Sequence, residues 1–236
     1  MTEIGSEAAL GIPSALSVLA GCLEMLEIPA VPKAYAAANA GAGSVSGSGS
    51  SYVSQHWAAV CALFSNRPDP ELLFTARATD LRKHPGQISF PGGSRDDADT
   101  GPVCTALRET YEEVGLAAGQ VHVLGRLPAA PVTVSRFQVV PVVAWWSGDA
   151  LLTPNPDEVA TVHRWPVSLL ADPAHRVTAI HPSGFTGPAW IIGDAFLWGF
   201  TARIVSELLR LGGWELPWNT SREVPIPAQF MRDHLS

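Results

Sequence analysis

Nine residues near the middle of the chain, Arg108-Glu109-Thr110-Tyr111-Glu112-Glu113-Val114-Gly115-Leu116, limit what this sequence can fold into more than any other stretch. Val103, Ala106, Leu107, Thr110 and Val114 recur at the spacing of one helical face, which predicts a helix over 103–114. Glu109, Glu112 and Glu113 fall together on a neighbouring, exposed face, because residues three and four apart are surface neighbours. Like charges so close repel, and a helix built only for stability would not cluster them. A hard divalent cation such as Mg2+ or Mn2+ resolves the conflict, because it takes oxygen ligands and tolerates several carboxylates. The plain alternative is a solvated acidic face. Two neighbours favour chemistry. Phe90-Pro91-Gly92-Gly93 reads as a tight, backbone-exposing turn. Arg108, four residues before Glu112, can pair with and orient a carboxylate. Gly115 stands where a left-handed residue ends a helix.

This segment resembles the Nudix box, whose pattern is G-x5-E-x7-R-E-U-x-E-E-x-G-U with U aliphatic. Counting from Gly93, the chain has Asp99 where the pattern has Glu, and one extra residue before Arg108-Glu109. Glu112, Glu113, Gly115 and Leu116 follow in place, and Thr110 takes an aliphatic position. Upstream, Leu73-Phe74-Thr75-Ala76-Arg77-Ala78, then Arg82, Gly86 and Phe90-Pro91-Gly92-Gly93, matches L-[LF]-T-x-R-[SA]-x3-R-x3-G-x3-F-P-G-G. That resembles the signature of the coenzyme A pyrophosphatase branch, in which the lengthened box and the Asp also occur.

The resemblance implies an α/β fold, the Nudix α/β/α sandwich with a mixed β-sheet, preceded here by an N-terminal helical extension. It implies an enzyme, a Nudix-type pyrophosphohydrolase that splits coenzyme A into 4'-phosphopantetheine and adenosine 3',5'-bisphosphate. Glu109, Glu112 and Glu113 are then the ligands of Mg2+ or Mn2+. Arg108 orients them, and either Glu109 or Glu158 is the general base. Arg77, Arg82, His84, Gly92 and Gly93 are expected at the substrate, since guanidinium forks match phosphate oxygens. Two other readings stand beside this one. The first is a Nudix pyrophosphatase acting on ADP-ribose or another nucleoside diphosphate derivative. The second is a non-catalytic nucleotide-binding module, which typically loses the box carboxylates that this chain keeps.

A net charge of -7 argues against general binding of nucleic acid or an anionic membrane, so a small-molecule substrate is the expected partner. Cys22, Cys61 and Cys104 form no ligand spacing and no disulfide framework, which suits a reducing cytoplasm. Leu19-Ala20-Gly21-Cys22 resembles a lipoprotein cleavage site, but no Lys or Arg precedes it. Leu16, Leu19, Leu23 and Leu26 instead repeat at helical spacing.

Residues 1–35 therefore read as a helical extension and 36–52 as a Gly/Ser-rich linker with little to bury. The Nudix domain is assigned to 53–236, so a chain starting near Tyr52 is expected to fold alone. Strands are predicted at 57–64, 72–77, 121–127, 137–146, 155–163, 175–181 and 189–192. The second of two long helices is predicted from an Asp194 cap to Leu211, with Phe196, Phe200, Ile204 and Leu208 on one face. The Trp- and Pro-rich tail after it covers either the sheet or the substrate mouth.

Overall fold

The computed structural model describes residues 11–26, 57–77, 86–131 and 138–230. Strand β1 (Trp57–Ser65) is a continuous apolar run, as a strand covered on both faces requires. It lies parallel to β7 (Gln138–Trp146) along its whole length, from Trp57 opposite Gln138 to Ser65 opposite Trp146. Strand β5 (Val121–Arg126) runs antiparallel on the far side of β7. Strand β2 (Glu71–Arg77) meets β1 at Phe64–Leu72, then pairs antiparallel with β3 (Ile88–Ser89) and β8 (Val159–Pro166). Strand β4 (Gly92–Ser94) pairs with β1, and β6 (Ala130–Pro131) pairs with β7. The sheet is therefore mixed.

Side-chain alternation divides this sheet into two faces. Trp57, Ala59, Cys61 and Leu63 of β1, Leu73 of β2 and Val142, Ala144 and Trp146 of β7 share one core. Helix α2 (Pro102–Val114) closes that core with Val103, Ala106, Leu107 and Val114. Ala62 and Phe64, Leu72 and Phe74, and Val143 and Trp145 of the same strands point the other way. They meet helix α1 (Ser17–Met25), the short α3 (Val167–Ala171) and α4 (Gly199–Leu211). Helices on both faces of one mixed sheet make an α/β/α sandwich.

Helix α1 forms where the leucine spacing predicts it. Leu16, Leu19 and Leu23 are 0–1 % exposed and belong to the same core as Phe64, Trp145 and Leu208. Leu23 also lies over Gly125 of β5, where a Cβ would come within 3.2 Å of it. This packing argues against the expectation that everything before residue 51 is dispensable. Leu26 is the exception on the predicted face, because the helix ends at Met25 and leaves it exposed. Among the described residues, no helix is long and apolar enough to cross a membrane.

A second, smaller sheet has the order β11-β10-β9-β12, from Ala195–Leu197, Thr186–Ile192, Arg176–Ile180 and Glu223–Pro225. Here the expected Asp194 helix cap is corrected. Ile192 pairs with Ala195, so Gly193 and Asp194 are a two-residue hairpin loop, with Gly193 at φ 58°. Phe196 is thus a strand residue, and α4 begins five residues after Asp194. The apolar spacing 196, 200, 204, 208 matched a helix because a short strand precedes it in phase. The strand predicted from 155 starts at Val159, since residues 155–158 form a turn. The tail packs on the α4 side and the small sheet. Trp214 sits 5.8 Å from the Phe64 ring, and Trp218 stacks 4.5 Å from the buried guanidinium of Arg176.

Candidate active site

Helix α2 starts with Pro102 in its first turn, where a missing N–H costs nothing, and ends at Gly115 with φ 74°. Its last carbonyls would be orphans without partners. Thr153 N–H donates to Val114 O and Asn155 N–H to Glu113 O, which ties the loop before β8 to the end of the helix. Glu158, in that turn and exposed, is thereby brought into electrostatic range of Glu109 and Glu113.

The three box carboxylates do not share one exposed face, as the helical spacing alone suggested. Glu112 is exposed, the Glu109 side chain is 14 % exposed, and Glu113 is 6 % exposed. Burial pushes the Glu113 carboxyl up to about 7, against the hydrogen bonds it receives from Thr75 and Gly92, with the charges of Glu109 and Glu158 adding to the rise. Burial likewise raises Glu109, opposed by Arg108 and reinforced by Glu112 and Glu158. Residue 113 lies at the border between the apolar stripe (106, 110, 114) and the acidic stripe (109, 112), and Thr75 and Gly92 of the strands beneath the helix cover it.

Arg108 holds the outer part of the cluster. Its Nη1 donates to Glu109 Oε1 at 3.0 Å and to Glu112 Oε2 at 2.8 Å. Its Nη2 donates to Asp99 Oδ2 and to the Ser94 carbonyl, each at 3.0 Å. Asp99 is 5 % exposed, and burial alone would raise its carboxyl. The hydrogen bonds from Arg108, the Asp96 N–H and Thr105 Oγ1 win and hold it at about 2. Asp99 is therefore an anion that anchors Arg108, and Arg108 orients Glu109 and Glu112. Sequence comparison placed Asp99 in the pattern but gave it no role.

Gly92 and Gly93 are strand residues of β4 rather than a free turn. A Cβ on Gly92 would lie 2.4 Å from Ala59 O, against the backbone of β1. A Cβ on Gly93 would lie 2.4 Å from Glu109 Oε1. Gly93→Ala is expected to displace Glu109 and lower kcat at least tenfold, as a misplacement near 1 Å can cost roughly 10²-fold. Steady-state kinetics with a melting curve check this; full activity would show that Glu109 can move freely.

Arg77 closes β2 beside Val159, at a register shift between Ala76 and Arg77. Its buried Nε has no hydrogen-bond partner among the described residues. Arg82 and His84 lie outside the described residues. Away from helix α2, a cleft of about 450 Å³ on the α4 side is lined by Leu127, Phe200, Arg203 and Glu215 and by none of these carboxylates.

Among the described residues, no three acids converge as a ready metal cage, because Arg108 holds Glu109 and Glu112 while Thr75 holds Glu113. The donor set nevertheless fits a hard divalent cation. It is all oxygen, and two of its carboxyls, Glu109 and Glu113, are raised by burial first and then by neighbouring carboxylate charge, a conflict that a cation removes.

The NUDIX domain family matches residues 55–182. The Nudix hydrolase NudL of Cronobacter sakazakii is 40% identical over 166 residues, 69% of this chain and 86% of that one. NudL of Escherichia coli K12 is 38% identical over 159 residues, 66% of this chain and 82% of that one. The crystal structure of RenU, a Nudix hydrolase from Mycobacterium smegmatis (M. Smegmatis), superposes with a TM-score of 0.50 at 19% identity. That match covers 70% of this chain and 90% of RenU, and shows a shared fold.

Proposed function

The chain belongs to the Nudix hydrolase family, and from that premise we propose that it hydrolyses the pyrophosphate bond of coenzyme A to 4'-phosphopantetheine and adenosine 3',5'-bisphosphate. Family membership carries the coarser statement, a hydrolase acting on small nucleotide derivatives with a divalent metal. The coenzyme A reading is supported by the branch signature in the sequence from Leu73 to Gly93, a segment whose Thr75 and Gly92 hydrogen-bond the box carboxylate Glu113.

Cleaving a phosphoanhydride needs an activated water and stabilisation of charge on the phosphoryl oxygens. Glu109, Glu112 and Glu113 are the residues that would hold Mg2+ or Mn2+, which when bound supplies Lewis acidity and a lowered water pKa. Arg108 keeps two of those carboxylates apart from each other's charge. Arg77 offers a buried donor, unpaired among the described residues, for a phosphate oxygen, a demand that a guanidinium meets well. Glu109 and Glu158 are the two carboxylates that could take the proton from water. Glu158 keeps more contact with solvent, which would let the proton leave.

Chromatographic product analysis with coenzyme A, dephospho-coenzyme A, ADP-ribose, NADH and an oxidised nucleotide tests the substrate. Coenzyme A should give the highest kcat/KM. A tenfold preference for ADP-ribose or NADH, about 1.4 kcal/mol of transition-state discrimination, would overturn the branch assignment and leave the Nudix chemistry standing. Arg77→Ala should lower kcat/KM by roughly ten- to a hundredfold, the worth of a hydrogen bond to a charged group. An unchanged value would remove Arg77 from the substrate.

A further inference from the structure

Among the described residues, one side-chain hydroxyl reaches Glu113 from the sheet. Thr75 Oγ1 donates to Glu113 Oε2 at 3.0 Å, and Thr75 is only 2 % exposed. On the other oxygen, Gly92 N–H lies 3.5 Å from Oε1. Thr75 is held from both edges of its strand, opposite Ser89 of β3 and Val162 of β8. Its β-branched side chain has little rotamer freedom, so the ladder fixes where the hydroxyl points. Leu73, two residues earlier on the same face of β2, is fully buried in the apolar core beneath α2. An apolar residue of the same shape would satisfy that face. A buried hydroxyl there is retained only with a partner, and the partner is Glu113.

We propose that Thr75 is a positioning residue for metal binding, fixing the Glu113 carboxylate so that its remaining lone pairs face the cation. An ionised carboxylate accepts at about four sites on its two oxygens. Thr75 and Gly92 engage one site on each, and both oxygens keep a site for a hard ion. Without the hydroxyl, Glu113 keeps its charge and its place on the helix but loses its fixed orientation. The inference rests on Glu113 holding the cation, as proposed above.

The test is Mn2+ binding to the full-length chain, by calorimetry and by the electron paramagnetic resonance signal of free Mn2+. Wild type, Thr75→Val, Thr75→Ser and Glu113→Gln are compared. Thr75→Val should weaken Mn2+ binding by roughly ten- to a hundredfold, the usual effect of losing a residue that orients a ligand. Thr75→Ser, which keeps the donor but not the β-branch, should bind Mn2+ more tightly than Thr75→Val does. At saturating Mn2+, the Thr75→Val enzyme should recover most of its kcat with substrate KM unchanged, because the hydroxyl is buried against Glu113 and not open to solvent. If Glu113→Gln weakens binding and Thr75→Val does not, Thr75 merely fills the strand and this inference fails alone. If Glu113→Gln also binds as wild type does, the ligand assignment fails and the inference falls with it. Should Thr75→Val not fold, Thr75→Ala removes the same donor without adding a methyl, and its Mn2+ affinity decides the question in the same way.

Discussion

Glu113→Gln is expected to lower kcat/KM by roughly three orders of magnitude, since a metal ion contributes several kcal/mol of transition-state stabilisation and each 1.4 kcal/mol is about tenfold. The fold should survive. Glutamine has the same shape, its carbonyl can still accept from Thr75, and it carries no charge to bury. The pH dependence of stability sharpens the prediction. With its folded pKa raised from 4.5 to about 7, the Glu113 carboxyl is protonated in both states below about pH 4.5. Between those values the unfolded chain releases the proton and the native chain holds it. Metal-free wild type therefore loses stability as pH rises through that window. Glu113→Gln has no such proton to lose, so at pH 8 without metal it should melt no lower than wild type. Added Mn2+ should raise the wild-type melting temperature by mass action and raise that of the variant much less. Thermal melts at pH 5 and pH 8, with and without Mn2+, measure all four states. A variant that keeps a tenth of wild-type activity and an equal metal response would remove Glu113 from the ion.

Removing residues 1–51 should give an insoluble chain, or one whose melting temperature falls by more than ten degrees. Leu16, Leu19 and Leu23 are essentially inaccessible, and each buried leucine contributes roughly 1.5–3 kcal/mol. Losing all three removes a large part of a typical 5–15 kcal/mol stability and uncovers Gly125, Leu124 and Leu208 beneath them. The single change Leu19→Ala is the milder probe and should cost about 2–5 kcal/mol in urea unfolding. Its activity should stay near wild type under stabilising conditions, because α1 and α2 lie on opposite faces of the sheet. A truncated chain that melts with wild type would restore the reading of this segment as a detachable extension.

The helix carrying Glu109, Glu112 and Glu113 was legible because its apolar period and its glycine stop agree, and the long strands because continuous apolar runs need two covered faces. Local spacing could not tell that Glu113 is buried. That depends on Thr75 and Gly92, 38 and 21 residues away in sequence, arriving beneath the helix. Nor could it show that Gly93 is kept small by the Glu109 carboxylate, a steric demand made across two elements. Asp194 misled because aspartate suits both a helix cap and a hairpin loop, and only the partner strand decides between them. The leucines of α1 were read correctly as a helix. The Gly/Ser tract after them, a signal of separation, concealed that the helix packs into the core.

The parallel pairing of β1 with β7 joins residues 81 positions apart, as with Trp57 and Gln138. Such a contact cannot form by local zipping, so its loop-closure entropy must be met before any of its nine pairs is gained. Helix α2 is carried inside the loop that this pairing closes. Its leucine, alanine and valine face has no complete partner surface until β7 is in place. Refolding should therefore regain helix signal early and ion binding late, in step with β7. Any transient opening that frees β7 would uncover both cores at once, because Val142 and Trp146 pack beneath α2 while Val143 and Trp145 pack on the α4 side.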